Sequence, residues 1–259
     1  MTDYLMPLSR FLAETEFADL PAAAVDRARR VLADSLAAIA AGSAEPEVRA
    51  LTEKMAPSAP GAASLIGQEG RAAPAVAAFI NGTAGTFLEL DEGNQFSRGH
   101  PGIHALPAAL AVAEGQIGAG RTVSGQDLLT AMVLGYEIGA RIGIASKILP
   151  SMHPHGTWGT VGAAVAVAKL HGANAQAMAE TINVASTLGL ATSRQTMLQG
   201  GTVRNSFAGF SGQIGVTAWQ LVDSGFTGES DGLATVWGSV SSTDWQPAEM
   251  VAELGTRYE

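Results

Sequence analysis

The sequence predicts an all-α domain, on three observations. Apolar residues recur at the three-and-four spacing of a helix along almost the whole chain, not at the alternating spacing of strands. Small residues dominate: 47 alanines and 31 glycines among 259 residues let helices pack closely. The Val, Ile, Thr and Tyr runs that build sheets are scarce, and aromatics make up only 6%.

Residues 8–14 form a short first helix. Pro21 opens the second, where its missing N–H is tolerated, and residues 22–41 carry Val25, Ala28, Leu32, Leu36 and Ile39 on one face before Gly42 stops them. Residues 47–55 form a third helix, 57–61 a loop, and 63–66 the one strand candidate. Residues 73–90 are a near-apolar helix, buried on most sides, whereas 91–102 show no periodicity. Helices resume over 104–114, 126–146, 157–170 and 174–188, with Ser124 and Asn174 as N-caps. Residues 195–203 are irregular, 206–222 form a last helix ended by Ser224-Gly225, and the tail from Phe226 to Glu259 holds short, loosely held elements. The stretch GTVGAAVAVAKL is apolar all round, which places it at the centre of a bundle or between subunits. Glu137 and Arg141, one turn apart, pair. No repeat and no domain-dividing linker is present.

A net charge of −9 with only three lysines, Lys54, Lys147 and Lys169, argues against a broad nucleic-acid surface. The absence of cysteine excludes disulfides, thiolate metal sites and a thiol nucleophile; it suits a reducing compartment, and a cytoplasmic location is expected. The opening MTDYLMPLSRFLAETEF carries acids and lacks a long apolar core, so it does not read as a secretory signal. No run reaches about 18 uninterrupted apolar residues, so no membrane span is expected.

Four of five histidines fall in two irregular stretches that lead into helices: His100 and His104 in RGHPGIHALP, His153 and His155 in SMHPHGTWGT. Imidazole titrates nearest neutral pH and suits proton transfer, and such loops are where scaffolds hold reactive groups. His-Pro pairs also serve plain turns with solvated rings. His153 and His155 with Asp91 or Glu92 offer metal ligands, but no HExxH-like pattern accompanies them and no metal is expected. His171, beside Gly172, reads as a capping or surface residue. Glu89, Asp91 and Glu92 in LELDEG form either a solvated helix end or a functional group, since acids are unfavourable at a helix C-terminus. In QGGTVRNS, two glycines free the backbone and Arg204 offers a fork either for a carboxylate or for main-chain carbonyls.

Taken in order, these segments resemble the MmgE/PrpD family, which includes 2-methylcitrate dehydratase, cis-aconitate decarboxylase and iminodisuccinate epimerase. The likeness is carried by Asp34 in the early helix, then NGTAGTFLELDE, HPGIHALPAALAVAE, GYEIGARIG, HPHGTWGTVGAAVAVAKLHG and GGTVRNSFAGFSGQIGVTAWQLVDSGFTGE. It implies an all-α domain, residues 1–240, that carries one wall of an active site in a homodimer, with residues 241–259 leading toward an α/β lid domain absent from this chain. It implies no metal, no organic cofactor, and a small di- or tricarboxylate substrate. His100 and His153 fall on the family's two His-Pro active-site histidines, and Glu89, Asp91 and Glu92 on its acidic LDxDD motif. Arg204 stands where the family's dehydratases and decarboxylases usually have Lys, and Thr86 where many members have His. Arg stays protonated, so it suits carboxylate binding rather than proton transfer.

The chemistry so implied is proton abstraction next to a carboxylate. His100 or His153 acts as base and conjugate acid, and Asp91 or Glu89 orients a His or holds the loop. Arg204 clamps a carboxylate, while Thr157 and N–H groups near Gly156 donate to the substrate. A 2-methylcitrate dehydratase-like hydro-lyase is expected. The alternatives are an epimerase of an iminodisuccinate-like substrate, and a non-catalytic or split subunit that needs a separate lid chain. No nucleic-acid or membrane partner is expected, and apolar surface left by the absent half predicts association.

Overall fold

The computed structural model describes residues 4–259; Met1–Asp3, the start of the segment read as lacking a secretory signal, lie outside them. Among the described residues, ten α-helices run in the order α1 (Leu5–Glu14), α2 (Ala22–Gly42), α3 (Pro46–Met55), α4 (Pro74–Phe87), α5 (Pro101–Gly118), α6 (Gly125–Ala145), α7 (Gly159–Leu170), α8 (Ala175–Leu188), α9 (Arg194–Leu198) and α10 (Phe207–Asp223). The fold is all-α, as the periodicity predicts.

The all-round apolar helix is the centre. Residues Gly159 to Ala168 of α7 are buried, and α5, α6, α8 and α10 pack around it. Small residues make this possible: a Cβ at Gly135 of α6 would stand 2.6 Å from the Gly162 carbonyl oxygen of α7, and one at Gly162 would meet the Gly135 carbonyl at the same distance. Helix α6 alone among the described residues has the length and mean hydropathy, 1.4, for a membrane span, but 83% of that window is buried inside the domain. Its apolarity serves the core. Both predicted caps are present. The Ser124 hydroxyl accepts from the Asp127 N–H at 3.1 Å while the Asp127 carboxylate accepts from the Ser124 N–H at 2.7 Å, and Asn174 Oδ1 accepts from the Ala177 N–H at 2.9 Å.

Several expectations need correction. Helix α4 ends at Phe87, not residue 90, because the chain turns at Glu89, whose φ is +58°. Helix α5 starts at Pro101, so His104 sits inside it and His100 at its N-cap. Gly42 is the last residue of α2 rather than its stop. The predicted strand shrinks to β1 (Ala63–Ser64), which pairs antiparallel with β2 (Arg71–Ala72). The region read as irregular, 195–203, overlaps α9, which begins at Arg194, and the start of a 3-10 turn at Thr202–Ser206.

The tail is not loosely held. A π-helical segment, Leu233–Val240, is followed by β4 (Ser242–Trp245), which pairs antiparallel with β3 (Ser146–Ile148). The buried Glu137–Arg141 pair then anchors the end of the chain. Arg141 Nε donates to Glu137 at 2.6 Å, and its terminal nitrogens donate to the carbonyls of Glu249, Ala252 and Arg257 at 2.8, 2.9 and 3.2 Å. The Glu259 N–H donates to the second Glu137 oxygen at 2.8 Å.

Candidate active site

The two histidine loops, the acidic loop and the Arg204 turn converge on one cleft of about 540 Å³. Its walls include Glu89, Arg98, His100, His153, Arg194 and Arg204.

His100 occupies the N-cap position of α5 without a side-chain capping bond, and its side chain is one-third exposed to the cleft. Its Nδ1 lies 3.0 Å from Asp91 Oδ2, within ion-pair distance although the N–H is not aimed for a well-formed hydrogen bond. With the proton on Nδ1, Nε2 keeps a free lone pair. Burial lowers the His100 pKa, but the contact with Asp91 and the charges of Asp91 and Glu92 outweigh it, so the net shift is upward. Glu92 is the strut behind this corner. Its Oε1 accepts from the Gly102 N–H at 2.7 Å, in the first turn of α5. Burial pushes its carboxyl up to about 8, against that bond.

His153 is held differently. Its N–H donates to the Thr192 carbonyl at 2.8 Å, and its carbonyl accepts from the Thr192 hydroxyl at 2.9 Å. Its Nδ1 accepts from the main-chain N–H of His155 at 3.1 Å. A neutral imidazole whose Nδ1 is an acceptor carries its proton on Nε2. Burial, followed by the nearby charges of Arg204, His100 and Arg194, brings its pKa down to about 4. At neutral pH His153 is therefore a neutral N–H donor.

His155 and His104 form the floor. The ring of His155 stands edge-on to those of His100, His104 and His153, with centroids 4.7, 5.2 and 4.9 Å away. Burial holds the pKa of His155 well below its ordinary value and that of His104 down to about 3. His104 fits only because position 159 is Gly: a Cβ there would stand 2.3 Å from its Cγ. His104 lies inside α5, four residues after the N-cap His100, and both rings meet that of His155; the spacing is the available signal for it. Arg98, Lys147 and Arg194 also line the cleft, and nothing in the sequence beyond their charge marks them.

Arg204 is buried, and its fork grips the Glu89 carboxylate in two contacts, one at 2.7 Å. It also donates to the Thr86 carbonyl at 3.2 Å. The expectations for Arg204 meet here: it holds a carboxylate, but Glu89 supplies it. Thr86 is a strut, its hydroxyl donating to the Asn205 carbonyl at 2.7 Å. Thr157 is fully buried, does not line the cleft, and gives its hydroxyl hydrogen bond to the Pro154 carbonyl. His171, the C-cap of α7, stacks on Trp219 away from the cleft.

Comparison with known proteins identifies the family. The MmgE/PrpD N-terminal domain matches residues 7–246. The chain is similar to a cis-aconitate decarboxylase-like protein, oryM, of Aspergillus oryzae, at 28% identity over 97% of this chain and 55% of that protein. It is also similar to cis-aconitate decarboxylase of Aspergillus terreus, at 29% identity over 80% of this chain and 43% of the enzyme. The chain thus spans about half the length of the curated relatives it matches. Helical architecture, two His-Pro loops meeting at one cleft and a family match over nearly the whole sequence lead to one conclusion: the chain belongs to the MmgE/PrpD family, as its N-terminal helical domain.

Proposed function

We propose that the chain supplies the helical wall of a lyase active site that moves a proton next to a carboxylate in a small di- or tricarboxylate. The observation that carries this reading is the unlike state of two imidazoles at one cleft, His100 with an open Nε2 backed by Asp91, His153 with an Nε2–H. The carbon acid next to a carboxylate is weak, so a base must act while the developing charge is stabilised. His100 takes the proton at Nε2, and Asp91 supports the imidazolium. His153 donates its Nε2–H to the oxygen that gains charge. Arg98, Arg194 and Arg204 attract the carboxylates, with Glu89 yielding part of the Arg204 fork on binding.

Return of that proton by His100 to a departing hydroxyl, which leaves as water, gives a hydro-lyase of the 2-methylcitrate dehydratase kind; a His100 loaded instead with a solvent proton, passed to the substrate carbon as CO2 leaves, gives a decarboxylase. The names of the relatives favour this lyase class over an epimerase. The small-residue bundle and buried loops form the fixed side of the site. The facing side is the family's α/β lid, contributed by the remainder of a longer protein or by a separate chain, and the working unit is a homodimer.

The test is proton NMR in D2O with cis-aconitate, citrate and 2-methylcitrate. Deuterium enters the substrate or product carbon, and His100→Gln abolishes this. Exchange that persists at full rate in His100→Gln refutes the assignment.

A further inference from the structure

Beneath the cleft, three ligand-type side chains face one another. Ligand atoms of Asp91, His100 and His155 all lie within 4.8 Å of one another, and no other such group of three occurs among the described residues. His100 Nδ1 and His155 Nε2 are 3.0 and 4.0 Å from the same oxygen, Asp91 Oδ2. The side chains of Asp91 and His155 are each only 1% exposed. Both Asp91 oxygens, both His155 ring nitrogens and His100 Nδ1 lack a well-formed hydrogen bond. A buried polar group without a partner costs about 1–3 kcal/mol; Asp91 Oδ1 and both His155 ring nitrogens have none, and the His100 Nδ1–Asp91 Oδ2 contact is poorly aimed, so the cluster calls for an occupant.

We propose that Asp91, His100 and His155 bind a divalent transition-metal ion of the zinc class, and that the bound ion switches the proton-transfer site off. Ligand atoms around a tetrahedral ion with bonds of about 2.0–2.1 Å stand about 3.3 Å apart, so these three close on it with a movement of no more than about 1.5 Å. Two imidazoles and one carboxylate suit Zn2+, Co2+ or Ni2+, whereas Mg2+ and Ca2+ take oxygen-rich shells. His100 is the ligand that reaches the cleft, so the ion enters there and keeps a water or a substrate carboxylate as its fourth ligand. The switching half rests on the reading of His100 as base. Bound through Nδ1, the neutral imidazole carries its only proton on Nε2, the atom that has to accept one.

The primary test reads binding without turnover. The chelator-treated full chain is titrated calorimetrically with ZnCl2, and Co2+ is added while visible absorption is followed. One Zn2+ per chain is expected, with the strong visible bands of four-coordinate Co2+ and no heat from MgCl2. Asp91→Asn and His155→Gln each weaken Zn2+ binding at least tenfold. His171→Gln, outside the cluster, leaves it unchanged. Circular dichroism checks the fold of each variant, and if one fails to fold the other decides. Absence of Zn2+ binding, or binding kept by a folded Asp91→Asn or His155→Gln chain, overturns the metal site. Expected binding in a chain inactive on every carboxylate supports the metal site and overturns only the proton-transfer reading. In an active preparation, Zn2+ stops deuterium exchange in the unaltered chain. Inhibition of equal strength in His155→Gln overturns the switch.

Discussion

Replacing Asp91 by Asn removes the charge that sets the protonation of His100 while keeping the shape of the side chain. Two unit charges 3.0 Å apart attract by about 1.4 kcal/mol at the dielectric constant of water and by about 5.5 kcal/mol at an effective value of about 20. The His100 side chain is 32% exposed, so the screened end of that range governs. At about 1.4 kcal/mol per pKa unit, the His100 pKa falls by about one unit. The assay is the imidazole Cε1 proton shift against pH, measured by NMR in metal-free buffer and assigned by its loss in His100→Gln. In an active preparation the acidic limb of kcat/KM moves down with it, and kcat falls about a hundredfold as the imidazolium loses its support. The sign extends to stability. A histidine whose folded pKa is raised adds stability below its ordinary pKa, and that stability is lost as pH rises through the folded value. Asp91→Asn is therefore more destabilising at pH 5 than at pH 9. An unmoved His100 titration would refute an ionic interaction across the 3.0 Å contact.

Four further outcomes follow from the packing and charge. His104, His153 and His155 are all pushed down, the first two to about 3 and about 4, so the unfolded chain binds protons that the native chain refuses between about pH 4 and 6.5; stability falls on acidification there, by up to about 1.4 kcal/mol per pH unit and group. Urea melts at pH 7 and 5 measure this, and His104→Leu flattens the slope. Arg141→Met leaves Glu137 buried without its partner and costs about 3–5 kcal/mol; a lowered melting temperature and protease cleavage within 247–259 report it. Glu89→Gln releases the Arg204 fork and tightens citrate binding in calorimetry by up to about fivefold, the scale of a solvent-exposed ion pair. Gly159→Ala drives a methyl into His104 and costs about 1–3 kcal/mol in denaturant melts.

The helices are readable because their signal is local. The twelve residues of α7 have no polar face, so they belong at the centre of a bundle or between subunits, and the fold places them at the centre; Ser124 and Asn174 stand where capping chemistry puts them. The short strands β3 and β4, of three and four residues, give too few alternations to show a period, and they pair across almost a hundred residues. The tail looked loose because its anchor is remote. The Glu137–Arg141 pair is visible as a four-residue spacing, but the three carbonyls that Arg141 ties lie 108 to 116 residues further on. Sequence extends α4 past its end because Leu88 and Leu90 continue its apolar pattern, although both are among the exposed residues of the fold.

The site divides the same way. Which residues meet could be anticipated from the two His-Pro loops, the acids before the first and the arginine after the second. What each does could not, since His100 and His153 present the same side chain followed by the same proline. Their difference comes from atoms with no signature in sequence. The main-chain N–H of His155 holds Nδ1 of one ring, and a buried carboxylate faces Nδ1 of the other. One imidazole is thereby fixed as a neutral donor and the other left able to accept a proton. The same loop geometry places the His155 ring between them, where its spare nitrogens give Asp91 and His100 a third ligand-type neighbour. In the proposed reading, the His155 main-chain N–H and the Asp91 carboxylate together divide acid from base in this cleft, and the His155 side chain supplies a ligand for the ion that would block it.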